Sequence, residues 1–364
     1  MPPSITIGKR TVGTGHPAYI IAEIGSNFDG DLERAKALAK MCKEAGADAY
    51  KIQNFLAEKI VSEAGFKNLR VAHQAKWDKP VVEVYKKAEF PRAWLKELAE
   101  YCASIDIDFF SSPYDTEAVD QLEAVGVPVY KMGSGEIDNL ELLAYVAATK
   151  KPIILATGSA TVEEIEAAVA TVRAQGNDQV AVLQCVTNYP SPIADANLRA
   201  MVFLGERLRV PYGYSDHTTG KEGGGDDPLG GLTVPLGAVA LGGSILEKHV
   251  TDDTNRTGPD HPFAMVIDGN FKAMIEATRA LEAALGNGVK QVMPSEAETV
   301  IIQRRGFYAT RTIVEGETIT KDAVELLRPA IGFRPSEATT LIGSKARHTI
   351  PAGAPIMKDD VSST

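Results

Sequence analysis

Between Ala18 and Leu285, short runs of β-type residues alternate with stretches whose apolar positions recur every three to four residues. That alternation is the mark of parallel βαβ construction and not of a sandwich. Eight units are read, with strands at 18–22, 49–53, 108–111, 129–132, 153–156, 180–184, 210–214 and 245–249, and with helical spacing between them, as at 32–44 and 162–174. Eight strands favour a closed (β/α)8 barrel over an open sheet. Gly25 and Gly30 after the first strand are not spaced as GxGxxG, which disfavours a dinucleotide fold. The polar stretch 291–298 contains Pro294, and beyond Ile302 short β-like pieces are broken by Glu-Gly, Pro-Ala-Gly and Arg-Pro turns. The expected organisation is an α/β barrel over 1–290, a linker over 291–301 and a small β-rich domain over 302–364.

A barrel of this kind carries its site at the C-terminal strand ends, and unusual polar residues collect there in nearly every unit. They are Glu23, Lys51 with Gln53, Ser111 with Ser112, Lys131 followed by Ser134 and Glu136, Thr157, Thr187 with Asn188, Ser215 with His217, and Glu247 with His249. Strand alternation places Lys51 and Gln53 on one face and Tyr50 and Ile52 on the other. Lys131 repeats the arrangement two strands on. Two inward lysines beside Ser134 and glycine-rich loops make a receptor for phosphate and carboxylate. His217 and His249 end neighbouring strands, and converging imidazoles suit a first-row divalent ion acting as a Lewis acid; histidines held by core hydrogen bonds are the bland alternative. Asp260 and His261 follow on a loop able to overhang the mouth, although Gly-Pro-Asp alone is turn chemistry. Asn27 and Gly30 read as a turn with Asp31 as helix N-cap. His16, His73 and His348 have no supporting neighbours.

Composition narrows the classes further. The 364 residues carry a formal charge of −10, which argues against a nucleic-acid surface and makes any anion site a local cluster of cations and amides. Cys42, Cys102 and Cys185 form neither a disulfide framework nor a zinc spacing, so a reducing cytosol is expected. The N-terminus shows no apolar signal region, and the longest weakly polar stretch, 233–246, is shorter than the ~18 residues a spanning helix needs. A soluble cytoplasmic protein is expected.

At these residues the chain resembles the sialic acid synthase family, which condenses phosphoenolpyruvate with sugar aldehydes to give sialic, legionaminic and pseudaminic acids. The likeness runs through Ile-Ala-Glu-Ile-Gly (21–25), Lys-Ile-Gln (51–53), Ser-Ser-Pro (111–113), Lys-Met-Gly-Ser-Gly-Glu (131–136), Ala-Thr-Gly (156–158), Ser-Asp-His-Thr (215–218), Glu-Lys-His (247–249) and Gly-Pro-Asp-His (258–261). It implies a barrel followed by an antifreeze-like (SAF) domain, with Lys-Ala-Arg-His-Thr-Ile-Pro-Ala-Gly (345–353) in the latter. It implies that His217 and His249 bind manganese or a similar ion such as magnesium or cobalt. Phosphoenolpyruvate would be held by Lys51, Lys131, Ser134 and Ser215, with Gln53, Ser112, Thr157 and Thr187 or Asn188 nearby. Glu23, Glu136, Tyr189 and Asp260 would contact the sugar or carry protons. The resemblance also implies a domain-swapped homodimer in which Arg328 of one chain reaches the sugar bound by the other.

Three segments depart from the family pattern. The usual Asn-His-Asn-Gly is Asn27-Phe28-Asp29-Gly30, the glycine-asparagine segment after the reaching arginine is Ala330-Ile331-Gly332-Phe333, and Lys221–Gly231 reads as an inserted, glycine-rich, mobile loop. Two other functions remain open on the residues alone: a Schiff-base aldolase using Lys51 or Lys131, and a glycan-binding protein that has lost the chemistry.

Overall fold

The computed structural model describes residues 3–67 and 79–362; His73 lies outside them. Two compact units divide the chain, Met1–Gly286 and Asn287–Thr364.

In the first unit eight parallel strands form a near-closed barrel: β1 (Tyr19–Glu23), β2 (Ala49–Asn54), β3 (Asp108–Pro113), β4 (Tyr130–Met132), β5 (Ile153–Ala156), β6 (Val180–Cys185), β7 (Tyr212–Asp216) and β8 (Ile245–Thr251). Their order is β3-β2-β1-β8-β7-β6-β5-β4, so the first strand pairs with the last, with Glu23 opposite His249. At the seam β3 and β4 pack side by side. Every residue of β1, β5 and β8 is buried, as expected of strands covered by helices outside and side chains within.

The helices follow from local signals. Asp31 caps the helix Leu32–Ala45 by accepting from the N–H groups of Glu33 (2.8 Å) and Arg34 (3.2 Å), and Gly46 ends it at φ 97°. Thr161 and Glu164 form a capping box on Val162–Ala174. The strand β7 begins two residues later than its apolar run because Pro211, lacking an N–H, joins only as an acceptor from Val182 (3.0 Å). In consequence Ser215 and Asp216 fall inside the strand. A hairpin of Ser4–Ile7 and Arg10–Gly13, not anticipated, lies under the N-terminal strand ends and adds Ile5, Ile7 and Val12 to the core. The short strand Met265–Val266 pairs with the end of β8.

The second unit is small and β-rich. Its ladders are Gly306–Ala309 with Val324–Leu327 and Lys345–Ala346 with Val361–Ser362, around a core that includes Phe307, Ile319, Phe333 and Ile356. The stretch expected to be a linker carries part of a helix, Ala297–Gln303, and belongs to this unit.

Candidate active site

Polar side chains otherwise rare in protein interiors meet at the C-terminal end of the barrel. Lys51 on β2 is 2% exposed and ion-pairs with Glu23 on β1. Its Nζ also lies 3.3 Å from Ser112 Oγ and 3.6 Å from Glu247 Oε1. Lys131 on β4 reaches the same Glu247 oxygen at 3.3 Å. Burial works against the Lys51 ammonium, but Glu23 and Glu247 outweigh it and raise its pKa. Glu247 is likewise opposed by burial, and Lys131 and Lys51 hold its carboxyl well below the ordinary range. Glu23 is further occupied at Oε1, which accepts from Gln53 Nε2 and the Gly25 N–H, both at 3.0 Å.

Beside this charged floor stand the two histidines, their ring centroids 5.4 Å apart. His217 Nδ1 lies 2.8 Å from the Val186 carbonyl; a carbonyl only accepts, so Nδ1 carries a proton and, in the neutral ring, Nε2 keeps its lone pair. Burial would lower the pKa of His217, yet the neighbouring Cys185 and that carbonyl raise it. Burial presses His249 down to about 3, against the pull of Asp260, so its ring is neutral at ordinary pH. His249 Nδ1 is buried without a hydrogen-bond partner. It borders the space over Gly25, where an added Cβ would sit 3.4 Å from Nδ1 and 2.3 Å from Asp260 Oδ2. Two neutral-capable imidazoles, one with an orphaned nitrogen near a carboxylate, fit a divalent ion. Among the described residues no cluster of three His, Cys, Asp or Glu side chains would cage one.

A cavity of about 450 Å³ opens beside His249. Gln53, Glu136, Tyr189, His249 and Asp260 face it from the barrel, and Phe55, Ile60, Val61, Phe66, Val84 and Tyr85 form an apolar wall. Tyr189 packs against His217 with ring centroids 4.2 Å apart and planes tilted by 47°, and joins Pro190 through a cis peptide. Burial raises the pKa of Glu136, partly offset by Asn139, whose Nδ2 donates to Oε2 at 2.9 Å.

The remaining predicted residues divide. Ser134 Oγ accepts from the Gly158 N–H at 3.0 Å, and a Cβ at 158 would come within 2.7 Å of Thr187 Cγ2, so Ser134 and Thr187 share one corner with Ser159. Thr157 spends its hydroxyl proton on the Leu183 carbonyl (3.0 Å). Ser215 is buried on β7, Asn188 is exposed, and Arg328 is exposed in the second unit after Val324–Leu327. Sequence reasoning gave no role to two features. One is Glu247 as the counter-ion shared by both lysines. The other is the buried pair of Lys248 with Asp216, set by alternation behind the histidine-bearing face of β7 and β8.

Against known proteins this architecture is well populated. Residues 38–290 match the NeuB family and residues 304–362 the SAF domain. The chain is 35% identical to a pseudaminic acid synthase of Helicobacter pylori, over 95% of its length and 98% of that protein's. It is 34% identical to an N,N'-diacetyllegionaminic acid synthase of Legionella pneumophila, over 97% of both. The crystal structure of an N-acetylneuraminic acid synthetase from Leptospira borgpetersenii superposes with a TM-score of 0.70 at 31% identity, covering 82% of this chain and 96% of that one. The chain belongs to the NeuB family. It is an enzyme of the synthase type that these relatives are named for.

Within the NeuB frame the three departures have physical accounts. Phe28 is 1% exposed and packs edge-on against Phe90 (5.2 Å) and Trp94 (6.5 Å), making that position core. Phe333 is core of the second unit, and Gly332 before it has φ 70° with no room for a Cβ, which would lie 2.0 Å from the Ile356 carbonyl oxygen. The run 221–231 is tied down, contrary to the slack its glycines suggested. Asp227 is buried and accepts from Leu229 N (2.8 Å), Thr233 Oγ1 (2.6 Å) and Thr233 N (3.0 Å), and Asp226 Oδ1 accepts from Ile193 N (2.9 Å).

Proposed function

We propose that this protein condenses phosphoenolpyruvate with a sugar aldehyde of the N-acetylmannosamine type to give a 2-keto-3-deoxy acid and phosphate. The observation that carries the reading is the pair of buried lysines, 51 and 131, sharing Glu247 beneath the two converging histidines. Lys51, Lys131 and the Ser134 corner receive the phosphate and carboxylate of phosphoenolpyruvate. The acceptor occupies the cavity, its aldehyde toward His249 and its substituents along the wall of Phe55, Ile60, Val61, Phe66, Val84 and Tyr85, whose apolar lining suits acyl or deoxy groups. The ion that His217 and His249 would hold, manganese by the resemblance, supplies Lewis-acid polarisation of the acceptor carbonyl.

A bond forms between the methylene carbon of phosphoenolpyruvate and the aldehyde carbon, whose oxygen gains a proton. Water adds at C2 with loss of a proton, and departure of phosphate leaves the ketone. Of the three candidate proton carriers, Glu23 is committed to Lys51, Gln53 and Gly25, whereas Glu136 and Asp260 face the cavity. The raised pKa of Glu136 suits a general acid. A Schiff-base route through Lys51 is disfavoured, because its amine must be unprotonated and Lys51 sits between two carboxylates that favour the ammonium. By the same resemblance we infer a homodimer in which the exposed Arg328 of one chain serves the acceptor of the other.

Phosphate release from phosphoenolpyruvate, measured with manganese over a panel headed by N-acetylmannosamine and its 6-phosphate and diamino analogues, tests the reading. Acceptor-dependent release that a chelator abolishes is expected. Borohydride-stable labelling of a lysine by pyruvate, with no release on any acceptor, would replace it by the aldolase.

A further inference from the structure

The loop after β1 grips two consecutive residues of the loop after β8. Ser26 donates its N–H (2.8 Å) and hydroxyl (2.9 Å) to Asp260 Oδ2. Three residues on, Asp29 Oδ1 lies 2.8 Å from His261 Nε2. His261 is 0% exposed, and its other nitrogen lies 2.8 Å from the hydroxyl of Thr251 at the end of β8. A carboxylate only accepts, so Nε2 carries its proton toward Asp29 and, in the neutral ring, Nδ1 accepts from Thr251. Asp29 is anchored in turn by Arg34 (3.0 Å) and Arg256 (3.4 Å), and Arg34 forks onto both oxygens of Asp252 at 2.7 and 2.6 Å.

The fit between the loops is close on both sides. A Cβ at Gly25 would lie 2.3 Å from Asp260 Oδ2, and one at Gly258 would lie 2.8 Å from His261 Cδ2. Asp29 holds φ 52°, a left-handed conformation that Asp and Asn tolerate better than most residues. A carboxylate gripped at one oxygen through Ser26, with its chain neighbour fixed at both ring nitrogens, has little freedom to turn.

We propose that His261 and Asp29 are positioning residues that act through Asp260, fixing the direction in which its carboxylate faces the acceptor end of the cavity. The proposal rests on the reading of Asp260 as a proton carrier at that end. Misplacing a reacting group by about 1 Å costs on the order of 100-fold in rate, so loosening this clip reaches the chemistry although neither residue lines the cavity.

The test is steady-state phosphate release by full-length protein with manganese and the best acceptor of the panel, for wild type, D29N, H261A, H261Q, D260N and D260N/H261A. Hydrogen–deuterium exchange over 258–263 accompanies it. H261A is expected to lower kcat at least tenfold with KM for phosphoenolpyruvate within about twofold. H261Q, whose amide can still donate toward Asp29, should recover most of the loss, and H261A should cost nothing further on the D260N background. Full kcat in H261A, equal losses in H261A and H261Q, or an additive loss on D260N overturns the proposal while leaving the function intact. Full activity of D260N removes the assignment of Asp260, and the proposal falls with it. The exchange arm needs no acceptor: faster uptake over 258–263 in D29N at unchanged phosphoenolpyruvate affinity is expected, and uptake equal to wild type overturns the clip.

Discussion

Lys131 Nζ and Glu247 Oε1 stand 3.3 Å apart in the floor of the barrel mouth, both nearly excluded from solvent. A buried ammonium needs a counter-charge, and removing one member of such a pair costs about 3–5 kcal/mol. Lys51 keeps Glu23 as a partner, so the loss falls mainly on Lys131. Glu247→Gln should therefore lower the melting temperature by roughly 10 °C. Added phosphoenolpyruvate should raise it more than in wild type, because the ligand's own charge then meets an unneutralised lysine. Thermal unfolding with and without phosphoenolpyruvate decides this; an equal ligand shift in both proteins would mean that the anion does not contact Lys131.

The orphaned Nδ1 of His249 and the Nε2 left free on His217 invite a divalent ion. Protein treated with a chelator is expected to lose phosphate release by at least 100-fold and to regain it with manganese, with His217→Gln and His249→Gln not rescued. Calorimetric titration of manganese into the stripped protein gives an independent readout. Identical heats in wild type and both variants would move the ion elsewhere.

Hydrogen bonds from Arg34 depress the Asp252 carboxyl from its ordinary 3.8 to about 2, against the effect of burial. A depressed carboxylate stabilises the fold above its unfolded pKa, and that stabilisation is lost as pH falls through the folded one. The Arg34–Asp252 pair should thus contribute in full above about pH 4 and vanish toward pH 2, with a size held near ~1 kcal/mol by solvent screening. Denaturant midpoints of wild type and Asp252→Asn should differ at pH 6 and converge below pH 3; a gap that widens on acidification would contradict the assignment.

Much of the barrel was legible because short apolar or alternating runs give way to polar residues at their C-terminal ends, as where Ile153–Ala156 is followed by Thr157 and Ala49–Asn54 ends in Gln53 and Asn54. The inward lysines followed from alternation, since Tyr50 and Ile52 are too apolar to face the mouth. The limits were set by features that alternation does not encode. Pro211 delayed β7 by withholding a donor, and the hairpin before Ala18 is too short to announce itself. Partnerships across strands were hidden too. That Glu247 serves two lysines, or that Lys248 turns away to Asp216, depends on which strands become neighbours. Glycines misled at 221–231, where they permit close approach, as at Gly225 beside the Thr219 carbonyl, and not slack.

Phe28 stands where the family pattern has histidine, and its burial against Phe90 and Trp94 makes it packing. Truncation to alanine should cost about 3–5 kcal/mol. Phe28→His would place an imidazole among aromatic rings without a partner and should cost at least ~1–3 kcal/mol, with no gain in turnover. Unfolding free energies and kcat of the two variants check this; a faster Phe28→His enzyme would mean that the position belongs to the chemistry.

Gly25 separates the two halves of the site. It sits at φ 49°, and a methyl group there would press on Asp260 Oδ2 at 2.3 Å. Gly25→Ala must strain the backbone, at about 1–2 kcal/mol, and drive Asp260 from its place beside His249. The lysine floor lies on other strands and need not move. Turnover should fall on the order of 100-fold, as for a misplaced reacting group, while phosphoenolpyruvate affinity by calorimetry stays within about threefold. Loss of both together would mean that the β1 loop organises the phosphoenolpyruvate half as well, through the Gly25 N–H bound to Glu23 and thence to Lys51.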